Sequence, residues 1–527
     1  MSKEIKFGNE ARLGIREGIR KATKAVAPTL GAVGMTALID WEGLDPISSD
    51  DGVTILKNLE FKDKYENMGL KMLRKGAIRT SNEGGDGTAT TTVLTDAIIE
   101  EAFKEIANDS SKIREVKEQL EKGLIEVIGE LTKLKREVKE KDIERIATIS
   151  SLDPDVAKII ADVIKQIGVN GVVTVEKGSK IGYSSEIVKG ARFYRGLLSQ
   201  YFINDFDKEQ CVLENPFILL VDRKISINEQ IKPVMDSIQK TGNKSILIIA
   251  DDVDGLALAS LSQASKSVRV VNQAGQVVQG TWDLACVKNP YSGSRAKDFL
   301  NDIAVLTGAT VISEEAGMRL DTVTVAQCGN AEKVIVTKDN CTIIGGKSSE
   351  ALEQRIKSIE AQIDETISEY TKSMLEERLA CLTGGIGVIR VGTYTDTDFN
   401  AKKLKFDNAI NSTQAALQEG IVVGGGKSLL NVSTLIHEPI FTEALTAPFR
   451  QMAENAGIHP QIALNNLQGR LNTDGYDFKN LKIVDMFDAG IIDPFKVTRL
   501  ALESAVSITT SLITVETAIV NEVEDKK

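Results

Sequence analysis

Gly84-Gly85-Asp86-Gly87-Thr88-Ala89-Thr90-Thr91-Thr92-Val93-Leu94 is the stretch from which the rest of the chain is best read. Glycines let a backbone turn its N–H groups toward an anion, and a helix that follows adds its positive N-terminal end. Threonine hydroxyls donate to phosphate oxygens. Asp86 supplies hard carboxylate oxygens, which suit a Mg²⁺ shared with those phosphates. A plain Asp-Gly turn with a threonine N-cap needs fewer of these residues. The block therefore reads as the phosphate site of a magnesium nucleotide.

Around it the N-terminal third is helical. Charged residues alternate with Ala, Leu, Ile and Val at helical spacing over 10–26, and Pro28 closes the run. A second helix follows the glycine block over 91–106. A third, 111–141, carries Leu120, Leu124, Ile128 and Leu131 as its apolar stripe. From about 190 to 385 the pattern changes. Short β-branched runs at 171–175, 217–221, 245–249 and 334–336 are separated by helical patterns such as 228–239 and 254–265, which argues for an α/β domain. Residues 268–278 read as a β-hairpin. Leu352, Ile356, Ile359, Ile363, Ile367, Tyr370 and Met374 form a helical seam, read as one half of an antiparallel hairpin. Residues 407–521 return to helix, broken by Gly424-Gly425-Gly426. One domain is thus expected to be inserted into another.

Composition narrows the function. A chain of 527 residues exceeds one core and is expected to form two to four domains. Its net charge of −11 argues against a general nucleic-acid binder, which needs a basic face. Five scattered cysteines with no C-x-x-C pair suggest reduced thiols in an intracellular, cytoplasmic setting and disfavour a zinc module. With only His437 and His459, a histidine-dependent triad is disfavoured too. No secretory h-region and no membrane span are expected.

The remaining motifs are more ambiguous. Thr29-Leu30-Gly31-Ala32-Val33-Gly34 is either a second phosphate loop or a helix-ending glycine pair. Asp50-Asp51-Gly52 is either a metal or water-orienting site or a common turn. Gly424-Gly425-Gly426-Lys427-Ser428 imitates a P-loop, but Ile421 stands where the first Walker glycine belongs, so it reads as a close-approach loop. Asp493, before Pro494, either caps the next helix or holds a ribose.

Together these segments resemble the group I chaperonins, the GroEL-type folding machines. The resemblance runs from Phe7-Gly8-Asn9-Glu10-Ala11-Arg12 to near Glu516. It includes Glu66-Asn67-Met68-Gly69, the Gly85-Asp86-Gly87-Thr88 block, Tyr201-Phe202-Ile203-Asn204 and Val311-Ile312-Ser313-Glu314-Glu315. Glu419-Gly420 with the glycine loop, and Asp493-Pro494 with Lys496-Val497-Thr498-Arg499, complete it.

The resemblance implies a multidomain α+β and α/β fold. A helical equatorial ATP domain is built from 1–132 and 419–527, a small intermediate hinge domain from 133–188 and 387–418, and an α/β apical domain from 189–386. It implies an ATPase in which Thr29, Leu30, Gly31, Ala32, Asp50, Asp86, Gly87, Thr88, Ala89, Thr90, Gly425, Asp477, Phe478, Lys479 and Asp493 surround the ATP. Asp86 is the implied Mg²⁺ ligand and Asp51 the implied water-orienting acid, with K⁺ as a further possible cofactor. Leu198, Tyr201, Phe202, Met235, Leu258 and Leu261 are the implied client-binding residues. The implied partners are further copies in a homo-oligomeric ring of seven subunits, unfolded client proteins and a co-chaperonin lid, with no nucleic acid and no membrane.

This chain departs from that pattern in several places, among them Ala32-Val33 where the family has Pro-Lys, an inserted hairpin near 268–286, and His459 in place of an acid. The catalytic hinge Asp of the family is Asn408 here, with Asp407 just before it. A neutral amide is a poor proton acceptor, so either hydrolysis is slow or Asp51 or Asp407 compensates. Asp50 stands where the family has Lys, beside the monovalent-cation position. Lys232, Ser262 and Gln263 replace aliphatic groove residues.

Overall fold

The computed structural model describes residues 3–40, 46–106, 109–168, 171–178, 180–206, 208–271, 277–346, 350–366, 369–383 and 385–521. They divide into two compact units, Met1–Asp162 with Thr393–Lys527, and Val163–Gly392.

The first unit is helical. Helix Gly8–Val26 buries Ala11, Ile15, Ile19, Ala22 and Val26 along one stripe. It crosses helix Lys64–Gly84, which is capped by Asp63 through the Tyr65 and Glu66 amides. The crossing needs glycine on both sides. A Cβ on Gly18 would stand 1.9 Å from the Glu66 carbonyl oxygen, and one on Gly69 would stand 2.0 Å from that of Ile15. Helix Phe495–Ile513 is apolar almost all round and lies in the core, against Leu94, Ile98, Leu120, Val127 and Phe441. Strand Lys3–Phe7 pairs antiparallel with Thr517–Asn521.

The single helix expected over 111–141 is interrupted. It runs Ile113–Leu134 and a new helix spans Glu140–Ser151. Between them Arg136 exchanges both backbone hydrogen bonds with Ile421, at 2.8 Å each. A tertiary pairing has outcompeted helix propensity there.

The second unit is α/β. Four parallel strands stand in the order Asp283–Lys288, Ser245–Val253, Phe217–Ile225, Val311–Ile312, with Gly329–Asn330 antiparallel beside the third. The expected helices match Asn228–Gln239 and Gly255–Ala264. A six-stranded sheet holds Val172–Lys177, Gly385–Gly392, Gly182–Phe193, Cys341–Ile344, Lys333–Val336 and Cys211–Glu214. Arg269–Val271 and Val277–Gln279 form the expected hairpin, whose turn lies outside the described residues. The apolar seam from Leu352 to Met374 is not one helix but two, Glu350–Glu365 and Glu369–Thr383; its Ile367 lies outside the described residues. Asp302, nearly buried, accepts from Arg355 (2.7 Å) of one helix and Arg378 (2.7 and 3.0 Å) of the other. All five cysteines are free. Cys211, Cys286, Cys328 and Cys341 are buried, which pushes their thiols up, to about 12 for Cys211 and Cys328. Cys381 is partly exposed.

Candidate nucleotide site

Two glycines set the phosphate junction. Helix Lys64–Gly84 stops at Gly85, whose φ of +80° is left-handed, and Gly87 at +96° turns the chain into helix Thr88–Ile106. That helix starts earlier than the expected 91. Thr88, Ala89 and Thr90 therefore occupy its first turn, where backbone N–H groups have no intrahelical acceptor. No side chain fits at the junction. A Cβ on Gly85 would stand 2.4 Å from Ser412 N, and one on Gly87 would stand 2.8 Å from Val497 Cγ1. The turn is thus pressed between helices Asp396–Glu419 and Phe495–Ile513.

Three carboxylates gather at this turn. Asp86 Oδ1 accepts from Gly87 N at 2.6 Å. The residue keeps an exposed surface while protein crowds its carboxyl. That desolvation, and after it repulsion from Asp51, holds its pKa above the ordinary carboxylate range. Asp51 N-caps helix Gly52–Asn58, with Oδ2 accepting from Thr54 N (2.7 Å) and Thr54 Oγ1 (2.6 Å). The turn reading of Asp50-Asp51-Gly52 is therefore realised for Asp51, which also acts electrostatically on Asp86. Asp50 is exposed. Asp493, half-buried on strand Ile492–Pro494, is pushed up to about 7, by desolvation first and Asp86 second. It does not cap the next helix, which begins at Phe495 with no side-chain cap.

The glycine loop follows strand Ile421–Val423, which pairs antiparallel with the Asp493 strand. A Cβ on Gly424 would stand 3.0 Å from Asp493 Oδ1, and Gly425, at φ +62°, faces Met486. The loop thus packs closely on the protein's own strand and side chains. Lys427, which imitates the P-loop lysine, is buried, and desolvation lowers its pKa.

Two further segments complete the surroundings. Thr29 Oγ1 is spent on Val26 O (2.9 Å), and Gly31 turns over Met452. Asn455 Nδ2 pins this loop by donating to Ala27 O (2.9 Å) and Leu30 O (2.8 Å). Nothing in the sequence around Asn455 signalled that role. Ala32 is exposed. Asp477 closes its own turn, accepting from Lys479 N (3.0 Å), Asn480 N (3.1 Å) and Asn480 Nδ2 (2.7 Å). Leu30, Ala89 and Phe478 share one apolar cluster with Phe449. Asp407 and Asn408 are both half-buried on helix Asp396–Glu419.

A magnesium nucleotide fits this arrangement. Mutually repelling carboxylates call for a cation, and Thr91 Oγ1 is buried without a protein partner. Among the described residues no three side chains are placed to hold a metal unaided. That suits Mg²⁺, which keeps waters and takes substrate phosphate oxygens.

The model of the TCP-1/cpn60 chaperonin family matches residues 23–523. The chain belongs to this family. The chaperonin is also similar in fold to the chaperonin gp146 from the bacteriophage EL 2 (Pseudomonas aeruginosa), solved in two crystal forms in the presence of ATP-BeFx. Form II gives a TM-score of 0.67 and form I 0.62. Each is 20% identical, over 98% of this chain and 99% of that one. Its work is accordingly the ATP-dependent assistance of protein folding.

The six residues expected to bind clients do not share one environment. Phe202 and Leu261 are core residues of the second unit, 1% and 3% exposed, because their segments pack inward on its hydrophobic core. They are removed from the surface set. Leu198, Met235 and Leu258 are half-buried against the same core, and Tyr201 is 64% exposed. Leu256, which the sequence reading missed, is 67% exposed. Of the departures from the family pattern, Lys232 and Gln263 are exposed and Ser262 is buried, with its hydroxyl on Ser199 Oγ at 3.4 Å.

Proposed function

We propose that this chaperonin binds and hydrolyses Mg-ATP at the junction of Gly85, Asp86 and Gly87. The convergence of Asp51, Asp86 and Asp493 on one glycine-lined turn carries the reading. Asp86 is the proposed Mg²⁺ ligand. The amides of the first turn at Thr88, Ala89 and Thr90 bind phosphate oxygens, and the Gly425, Thr29–Ala32 and Asp477–Lys479 segments enclose the rest of the nucleotide. Mg²⁺ held by Asp86 would supply neutralisation of phosphate charge and polarisation of the phosphoryl group. Thr54 fixes the orientation of the Asp51 carboxylate, as a water-positioning acid requires. Exposed Asp50 adds negative charge where a monovalent cation such as K⁺ would bind.

The three-domain division and the seven-subunit homo-oligomeric ring with clients and a lid are part of the same reading, supported by the family. The gp146 structures in ATP-BeFx support the nucleotide assignment. The test is calorimetric titration of Mg-ATP into wild type and Asp86→Asn. Micromolar binding by the first, weakened at least about tenfold in the second, is expected. Equal binding would overturn the assignment of Asp86.

A second reading, an ATP-binding holdase or structural ring subunit with little turnover, rests on Asn408. Tight nucleotide binding without phosphate release, together with client capture without refolding, would select it.

A further inference from the structure

We infer that Arg136, Asp142 and Arg145 are positioning residues that hold the Asp493 strand and the glycine loop from behind. The inference rests on the nucleotide reading above.

Asp142 is fully buried at the start of helix Glu140–Ser151. Its carboxylate meets Arg136 Nη2 at 3.4 Å and Arg145 Nη1 at 3.7 Å, and Oδ2 accepts from Lys139 N at 3.0 Å. One buried anion thus organises two guanidinium groups, and the two arginines grip different pieces of the site, Arg136 through its backbone and Arg145 through its side chain.

Arg136 takes the first piece. Its backbone pairs with Ile421, the first residue of the strand leading into Gly424, and its guanidinium lies 3.6 Å from the centre of the Phe487 ring. Arg145 takes the second. Its Nη1 and Nη2 donate to two successive carbonyls, Phe487 O (3.1 Å) and Asp488 O (3.3 Å). These end the short helix Met486–Ala489. Gly490 then turns at φ +76°, and a Cβ there would stand 3.1 Å from Arg145 Cδ. Directly beyond, Ile491 O accepts from Gly424 N at 3.0 Å, and Asp493 follows on the paired strand. Ile146, Ala416, Ile421 and Ile492 pack together beneath this contact.

The Ile421 strand is therefore held by the Arg136 backbone, and the segment leading into the Ile492–Pro494 strand by the two guanidinium groups that Asp142 orients. Fixing them sets the separation of Asp493 from Gly424. A guanidinium forked over two carbonyls has a planar, two-donor geometry that a lysine ammonium cannot reproduce. Arg145 is about one-third exposed.

The test compares wild type, Arg145→Ala and Arg145→Lys in full-length protein. Calorimetric Kd for Mg-ADP, steady-state KM and kcat for ATP, and amide hydrogen exchange at Gly424 and Ile491 are measured. Arg145→Ala is expected to weaken Mg-ADP binding and raise KM about tenfold, with kcat within twofold and faster exchange at both amides. Arg145→Lys is expected to fall between. Unchanged affinity and exchange in a folded Arg145→Ala protein would overturn the inference while leaving the nucleotide site standing. A wild type that does not bind Mg-ADP would overturn both. Should Arg145→Ala not fold, Arg145→Lys with wild-type Kd and exchange would overturn the inference.

Discussion

Gly85 and Asn408 meet backbone to backbone, and a Cβ on Gly85 would stand 2.7 Å from the Asn408 carbonyl oxygen. The Gly85–Gly87 turn and the helix bearing Asn408 are therefore in direct contact. Gly85→Ala would add both a clash and a left-handed φ to a residue that carries a Cβ. The combined cost is about 2–5 kcal/mol, from strain and overpacking. Chemical denaturation is expected to show that loss, and nucleotide titration a weaker Kd.

Asn408 is the proposed determinant of turnover rather than of binding. Restoring the acid with Asn408→Asp is expected to raise steady-state ATPase by about 10²-fold or more, the usual worth of a general base. Nucleotide Kd is expected to stay within threefold. Equal, fast rates in both proteins would show that Asp51 or Asp407 already supplies the base.

Asp493 gives the nucleotide-free protein a pH signature. Its carboxyl titrates near 7 in the folded state, against 3.8 as an ordinary carboxylate. The neutral form is the one the fold accommodates, so its contribution to stability is fully present below 3.8 and lost as pH rises through about 7. A cation reverses this by favouring the charged form. The melting temperature of wild type relative to Asp493→Asn is thus expected to fall between about pH 4 and 7 without nucleotide. Mg-nucleotide affinity is expected to rise over the same interval. A flat difference in melting temperature would refute the assignment.

In the second unit, adjacent aromatics separate stability from binding. Phe202→Ala empties a buried site and is expected to cost about 3–5 kcal/mol in denaturant titration. Tyr201→Ala removes an exposed ring and is expected to leave stability within about 0.5 kcal/mol while lowering capture of an unfolded client.

Asp302 provides the corresponding electrostatic test. Its side chain is 4% exposed and answers two arginines. Asp302→Ala leaves both without their buried partner, and a loss of about 3–5 kcal/mol is expected.

Local signals in the sequence were strong where local chemistry decides structure. The β-branched runs became the strands, and the Gly85-Asp86-Gly87 block became the turn it resembled. Long-range pairings were hidden. The break after Leu134 exists because Arg136 finds Ile421, which lies far along the chain and has no local marker. Asn455 pins the Thr29 loop through backbone carbonyls, a contact that any asparagine on a helix resembles. Phe202 and Tyr201 are adjacent, with similar hydrophobic character, and only the three-dimensional packing assigns one to the core and the other to solvent.

The burial of four of the five thiols has a practical corollary. Alkylation requires the thiolate, and Cys211, Cys286, Cys328 and Cys341 are both enclosed and reluctant to ionise. Cys381, on helix Glu369–Thr383, is the partly exposed one. A maleimide dye added to the native protein will therefore attach once per chain at that helix. The natural sequence thus already carries a single-site position for a fluorescent label.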